Sequence, residues 1–271
     1  MDQQTPPFKC IWCHQQEPQV EFDKSHVIPQ CAGNNDYTVL PVGIVCKKCN
    51  GYFGSKVEPH LLDDPLFHVI AVALELTNSK SKKPFRQKIF DKQHPSEERI
   101  KRHLSLKSTL SSNKLSLQIS HQESGVLSRQ YNTRELAWLS RAIHKIGFEA
   151  MAWDFYVRKK NIPIPIFDNS FAPVRAWARE GHPTNSIRPL LRFMGNKPAP
   201  QLEYQMWIQH GHKIYCWLNL YGDWYGMNFT SNSNTIDKHL AEWSPPIESN
   251  DIWVISNEMM SFDKYKIMHQ R

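Results

Sequence analysis

The chain has 271 residues and a formal net charge of +7, enough length for one large domain or two ordinary ones. It has no run of about 18 apolar residues, so no membrane-spanning helix is indicated. The opening MDQQTPPFK lacks the apolar centre of a signal peptide, which makes the cytoplasm the expected location. A pI near 9.0 suits a polyanionic partner and gives no reason to expect a membrane.

In chain order, residues 1–8 read as a disordered tail. Cys10-Ile11-Trp12-Cys13 forms a tight knuckle in which Trp12 should pack rather than reach outward. Residues 20–28 are expected as a strand, 29–37 as a turn-rich loop and 38–45 as a second strand. A helix follows at 50–57, with Pro59 stopping or kinking it. The order strand, strand, helix is the result.

A buried helix is expected at 66–76 and a basic connector at 79–95. Between Asn78 and Lys107 there are ten Lys and Arg against three acids, including Lys80, Lys82, Lys83 and Arg86. Such a run is either a solvated linker or a phosphate-contacting segment, and both readings stay open. Leu115, Leu117 and Ile119 alternate as in a strand, with a turn at 123–125. The clearest helix is 133–160, where Leu136, Leu139, Ile143, Ile146 and Ala150 recur at spacings of three and four. Asn132 with Glu135 fits its N-terminal cap.

A short helix at 174–180 ends at Gly181. Strands are expected around Tyr204, Met206 and Ile208, at 214–220 and at 224–229 with a turn at Gly222-Asp223, and at an edge, 252–256. The aromatic residues Trp207, Trp217, Trp224 and Tyr225 read as core or sheet-face residues rather than base-stacking platforms. The fold class is α+β. Residues 1–78 form a small metal-stabilised module, 79–95 a linker, and 96–271 a mixed helix and antiparallel-sheet domain.

Two Cys-x-x-Cys pairs, Cys10/Cys13 and Cys46/Cys49, bracket Ser25-His26-Val27-Ile28-Pro29. Two residues between cysteines let one turn aim both sulfurs at one ion, so the four thiols read as a zinc site, with two disulfides as the alternative. With four thiolates filling a tetrahedral shell, His14 and Cys31 read as bystanders. Cys216 reads as a core residue.

These pieces resemble the HNH, or ββα-metal, endonucleases. The resemblance rests on Cys10 and Cys13, on Ser25-His26-Val27-Ile28-Pro29 with Gly33, and on Val45-Cys46-Lys47-Lys48-Cys49-Asn50. It continues through Phe53-Gly54-Ser55-Lys56-Val57-Glu58. It implies a ββα fold around structural Zn2+ and cleavage of DNA phosphodiester bonds with Mg2+ or Mn2+. His26 would be the general base, because a neutral imidazole can take a proton from water. Asn50 would hold the catalytic ion, with helix capping as its alternative role.

Ser25 departs from the pattern, since the family carries Asp or Glu there. The ion could be held through water, another carboxylate could substitute, or the site could be inactive. A strand places Asp23 on the face of Ser25 about 6.6 Å along the chain. Glu58 lies eight residues after Asn50 and matches the family's acidic position. Both acids could also be ordinary surface groups. Arg175 and Arg179, one turn apart, could follow a phosphate backbone.

The functional expectation is a metal-dependent HNH DNA endonuclease, with residues 96–271 recognising DNA or regulating cutting. A catalytically silent zinc-stabilised DNA-binding module is the main alternative. A defence or toxin effector held latent until a partner protein activates it is the third. DNA versus RNA and a homodimer versus a monomer stay open.

Overall fold

The nearly continuous apolar run VLPVGIVC forms the longer strand of the cysteine-rich segment, burying Leu40, Ile44, Val45 and Cys46. In the computed structural model this strand, β2 (Val39–Cys46), pairs antiparallel with β1 (Phe22–His26). The residues described are 6–33, 38–64, 67, 104–111, 114–121, 125–131, 133–162, 164–182, 190–193, 202–209, 213–221, 223–230 and 252–255. Their helices and antiparallel sheets give the α+β class, with a ββα unit at the N-terminus.

The register of β1 on β2 shifts between Asp23 and Ser25. This bulge leaves Asp23 and Lys24 both exposed and turns Ser25 inward. Strict alternation, which would have put Asp23 and Ser25 on one face, therefore fails at this point.

The helix starts earlier than expected. Helix α1 (Lys47–Tyr52) is capped by Cys46, whose extended backbone lets Sγ accept from the Cys49 N–H at 3.5 Å. Asn50 thus sits inside the helix and does not cap it. The chain continues through a π-type turn, Phe53–Val57, into α2 (Pro59–Asp63). Pro59 begins α2 instead of ending a helix, since its missing N–H costs nothing in a first turn.

Phe8 meets Phe22 edge-on with ring centroids 6.0 Å apart, so the expected tail is packed there, while residues 1–5 lie outside the described residues. The helix expected at 66–76, apart from buried Phe67, and the connector at 79–95 also lie outside them.

Three strands, β3 (Leu104–Ser111), β4 (Lys114–His121) and β5 (Gly125–Tyr131), form an antiparallel sheet. They lead to α3 (Thr133–Tyr156), which ends earlier than the expected 160. Every residue of α3 from Leu139 to Ala152 is buried. A helix buried all round is central, not one that lays a single face on a core.

After a 3-10 turn, α4 (Ala172–Arg175) and a π-type turn Ala176–Glu180 run to Gly181. Gly181 takes φ +72°, the left-handed conformation that ends the segment as its sequence suggests.

The second sheet has the order β10-β6-β9-β8-β7, from β6 (Leu190–Phe193), β7 (Leu202–Gln209), β8 (Lys213–Leu220), β9 (Asp223–Asn228) and β10 (Ile252–Ile255). β10 is an edge strand as expected, but it pairs parallel with β6. Trp217 and Tyr225 are fully buried, so they belong to the core.

Helix α3 contacts α2, β2 and the Phe53–Val57 turn as well as β7 and β8. Gly147 permits the approach of the sheet: a Cβ there would meet Met227 Sδ at 2.9 Å and Phe229 Cζ at 3.2 Å. Buried side chains from the cysteine segment, α3 and β8–β9 make one continuous core. No helix among the described residues is long and apolar enough to cross a membrane.

Candidate active site and metal centre

The two knuckles converge. All four Sγ atoms of Cys10, Cys13, Cys46 and Cys49 lie within 4.8 Å of one another, and Cys13 and Cys46 are 3.7 Å apart. Sulfurs on tetrahedral zinc, at about 2.3 Å from the ion, stand about 3.8 Å apart, so the spacing of this set is close to that of a zinc site. No disulfide joins them. The Cys46 N–H donates to Cys10 Sγ at 3.4 Å, which orients that sulfur.

A hydrogen bond from the Cys49 thiol holds Cys10 down to about 5, against the opposing effect of burial. Burial pushes Cys46 up to about 11. A zinc ion would displace the thiol protons of this cluster.

His26 ends β1 and is half-buried. Its Nε2 is 2.9 Å from Gln30 Nε2, and its backbone carbonyl accepts from Lys145 Nζ at 2.7 Å. Asn50, next to Cys49 in α1, donates from Nδ2 to the Lys24 carbonyl at 3.1 Å. Its Oδ1 lies 3.3 Å from Ser25 Oγ. The strand carrying the histidine and the helix carrying the asparagine are therefore joined through Lys24, with Ser25 Oγ facing Asn50 Oδ1, beside the cysteine cluster.

Residues 10–66 match the family model of the HNH endonucleases. Over this segment the chain is similar to the HNH endonucleases. No curated protein and no solved structure matches the chain.

Around the HNH-like segment the other expected residues divide. Ser25 is fully buried and Asp23 is exposed, with Asp23 Oδ1 accepting from the Lys24 N–H at 2.8 Å. Glu58 Oε1 faces inward to Lys145 Nζ at 2.8 Å. Arg175 is buried, and its guanidinium donates to the carbonyls of Ile166 at 3.4 Å and Asp168 at 3.0 Å. Arg179 bonds Glu180 at 3.0 Å. Burial would lower its pKa, but Cys49 beside it, with Cys13, raises it. The two arginines thus face different partners instead of lying along one line. Lys80, Lys82, Lys83 and Arg86 are outside the described residues.

Two residues that sequence reasoning passed over complete the site. Lys145 and Glu149 sit one turn apart on α3, both with fully buried side chains and 3.1 Å between Nζ and Oε2. Glu149 Oε1 also accepts from Trp12 Nε1 at 2.9 Å, and Oε2 lies 3.0 Å from Ser25 Oγ. Lys145 reaches the His26 and Val27 carbonyls as well, at 2.7 and 3.3 Å. Burial would lower the lysine, but the Glu149 and Glu58 carboxylates outweigh it and hold it protonated. Burial raises Glu149 above the usual carboxylate range despite Lys145. The available signal was a Lys/Glu pair at i, i+4 inside the apolar run HKIGFEAMAW, a pattern ordinarily read as an exposed helix pair.

His14 is half-buried against Phe167, outside the cysteine set. Burial, with Arg175 and Lys9 nearby, lowers it to about 4. Cys216 in β8 is buried, and its thiol is raised well above its ordinary value by that burial, which makes it inert.

Proposed function

We propose that the protein is a metal-dependent endonuclease that hydrolyses phosphodiester bonds in DNA through its HNH module. The observation that carries this reading is the fixed placement of His26. Its carbonyl is held by Lys145, its ring by Gln30, and its strand is tied to Asn50 through Lys24. A base must be held at a defined angle to the water it deprotonates, and these contacts supply that rigidity.

In this reading His26 takes the proton of the attacking water. Asn50 Oδ1 is a hard oxygen ligand on a helix anchored by Cys49, suited to Mg2+ or Mn2+. Such an ion would neutralise the scissile phosphate and the leaving 3′ oxygen. The basic residues Lys80, Lys82, Lys83 and Arg86 would track the phosphate backbone. Residues 96–271 would recognise DNA or regulate cutting, with α3 as their link to the module.

One observation favours a second reading: Ser25 replaces the acid of the HNH pattern, as it would in a silent DNA-binding module. Supercoiled plasmid incubated with Mg2+, Mn2+ or EDTA, beside His26→Ala, separates the two. The nuclease reading expects nicking that needs the metal and is lost in the variant while zinc and fold are retained. Bound DNA left uncut under every metal would establish the silent module instead.

A further inference from the structure

The Ser25 hydroxyl has one hydrogen and two acceptors. Glu149 Oε2 is nearer, at 3.0 Å, and belongs to a carboxylate, whereas Asn50 Oδ1 stands at 3.3 Å. A hydroxyl bonds most strongly to a charged acceptor, so the hydrogen points to Glu149. Ser25 Oγ and Asn50 Oδ1 then face each other as two lone-pair oxygens with no hydrogen between them. The Asn50 amide cannot relieve this, because its Nδ2 is committed to the Lys24 carbonyl.

Two such oxygens repel unless a cation joins them. Neighbouring oxygens on an octahedral magnesium, each at about 2.0–2.1 Å from the ion, are about 3 Å apart. The Ser25–Asn50 separation is close to that spacing.

The charges point the same way. Glu58 and Glu149 share the single ammonium of Lys145, and Glu149 is completely buried. Two carboxylates against one ammonium leave an excess negative charge, which a low-dielectric interior does not tolerate without a further cation or a proton. Trp12 and Lys145 fix both oxygens of Glu149, so the carboxylate cannot swing out to solvent.

We propose that Ser25 and Glu149 together replace the missing acid as a divided ligand. Ser25 Oγ and Asn50 Oδ1 bind a hard divalent cation, and Glu149 supplies the negative charge through the hydrogen bond it accepts from Ser25. Outer partners of this kind tune metal affinity by about 10–100-fold. Glu149 lies outside the matched segment 10–66, so the module's cation site is finished by the central helix. This inference rests on the nuclease reading for its purpose, but its test does not.

The test measures Mn2+ binding to the zinc-loaded protein from the free-Mn2+ electron paramagnetic resonance signal. Zinc content and melting temperature are followed in parallel. Glu149→Gln leaves Lys145 paired with Glu58 and still offers an oxygen to Trp12, so the fold should persist. The proposal expects Mn2+ affinity to fall at least roughly tenfold. Ser25→Asp in the Glu149→Gln background should restore it, because the carboxylate returns to the β1 position. Ser25→Ala alone should also lose Mn2+, which gives a second route should Glu149→Gln prove unstable.

Unchanged Mn2+ affinity in Glu149→Gln or in Ser25→Ala, with zinc retained, overturns the proposal. So does a wild-type protein that binds no Mn2+. Mn2+ binding that depends on Glu149 in a protein that cuts no plasmid would sink the nuclease reading and leave this site standing.

Discussion

The indole N–H of Trp12, inside the first cysteine knuckle, donates to the carboxylate of Glu149 in the central helix at 2.9 Å, across 137 positions of the chain. Trp12 also packs on Phe53 and Phe148, with ring centroids at 4.6 and 5.1 Å. Trp12→Phe keeps most of that packing and removes the donor, leaving a buried carboxylate oxygen unsatisfied. The expected cost is about 1–3 kcal/mol, measured by urea denaturation of the zinc-loaded protein. A loss of only a few tenths would mean that water replaces the indole.

Lys145 joins Glu58, Glu149 and the end of β1. Lys145→Met preserves most of the volume but strands the fully buried Glu149, so it should destabilise by about 3–5 kcal/mol. Combining it with Glu149→Gln should cost less than the two single losses added together, since the stranded charge disappears. Simple additivity in that cycle would show that the pair is not coupled.

Gly147→Ala places a methyl group against Met227 and Phe229, where a Cβ has 2.9 Å and 3.2 Å to the nearest atoms. Overpacking of this kind costs about 1–3 kcal/mol, and a lowered melting temperature with unchanged zinc content is the expected result.

Cys46 is both a candidate zinc ligand and the cap of α1. Cys46→Ser, or removal of zinc by a chelator, should unfold the β1–β2–α1 unit, seen as lost amide protection over residues 22–57. Cys216→Ala, far along the chain in β8, should keep the zinc. Equal zinc loss in both variants would refute the assignment of the ion to the four-cysteine cluster.

Acid should weaken the fold partly through His14. Its pKa falls from 6.5 to about 4 on folding, chiefly by burial. Between those values the unfolded chain binds a proton that the folded chain does not, so stability declines as pH drops through that window and is unaffected above it. The difference in stability between wild type and His14→Gln, both zinc-loaded, should shrink as pH falls from about 6.5 to 4. A constant difference would refute the buried neutral imidazole.

The zinc cluster, the ββα order, the long helix and the β8–β9 hairpin were legible because each is written locally, in cysteine spacing or in apolar period. The site was legible only in part. The bulge at Lys24 that swings Asp23 outward leaves no mark in FDKSH. Glu149 and Lys145 escaped notice because their roles depend on which residues lie opposite them, more than 80 positions away. Arg175 and Arg179 fit the pattern of an exposed basic face, yet Arg175 is buried and donates to the Ile166 and Asp168 carbonyls, while Arg179 pairs with Glu180 nearer the surface. Periodicity reports that a residue lies on a helix face, not what covers that face.

Trp12, Ser25 and His26 each find a partner 119 to 137 positions downstream. During synthesis the N-terminal segment emerges first, and its cysteines can gather an ion while the helix that carries Lys145 and Glu149 does not yet exist. The end of β1 is then without its clamp, and Ser25 is without its carboxylate. A ribosome-bound chain of this protein therefore passes through a period in which its cysteines can be gathered but its site is unfinished. If the protein cuts DNA, that order of assembly delays its activity until translation has passed residue 149.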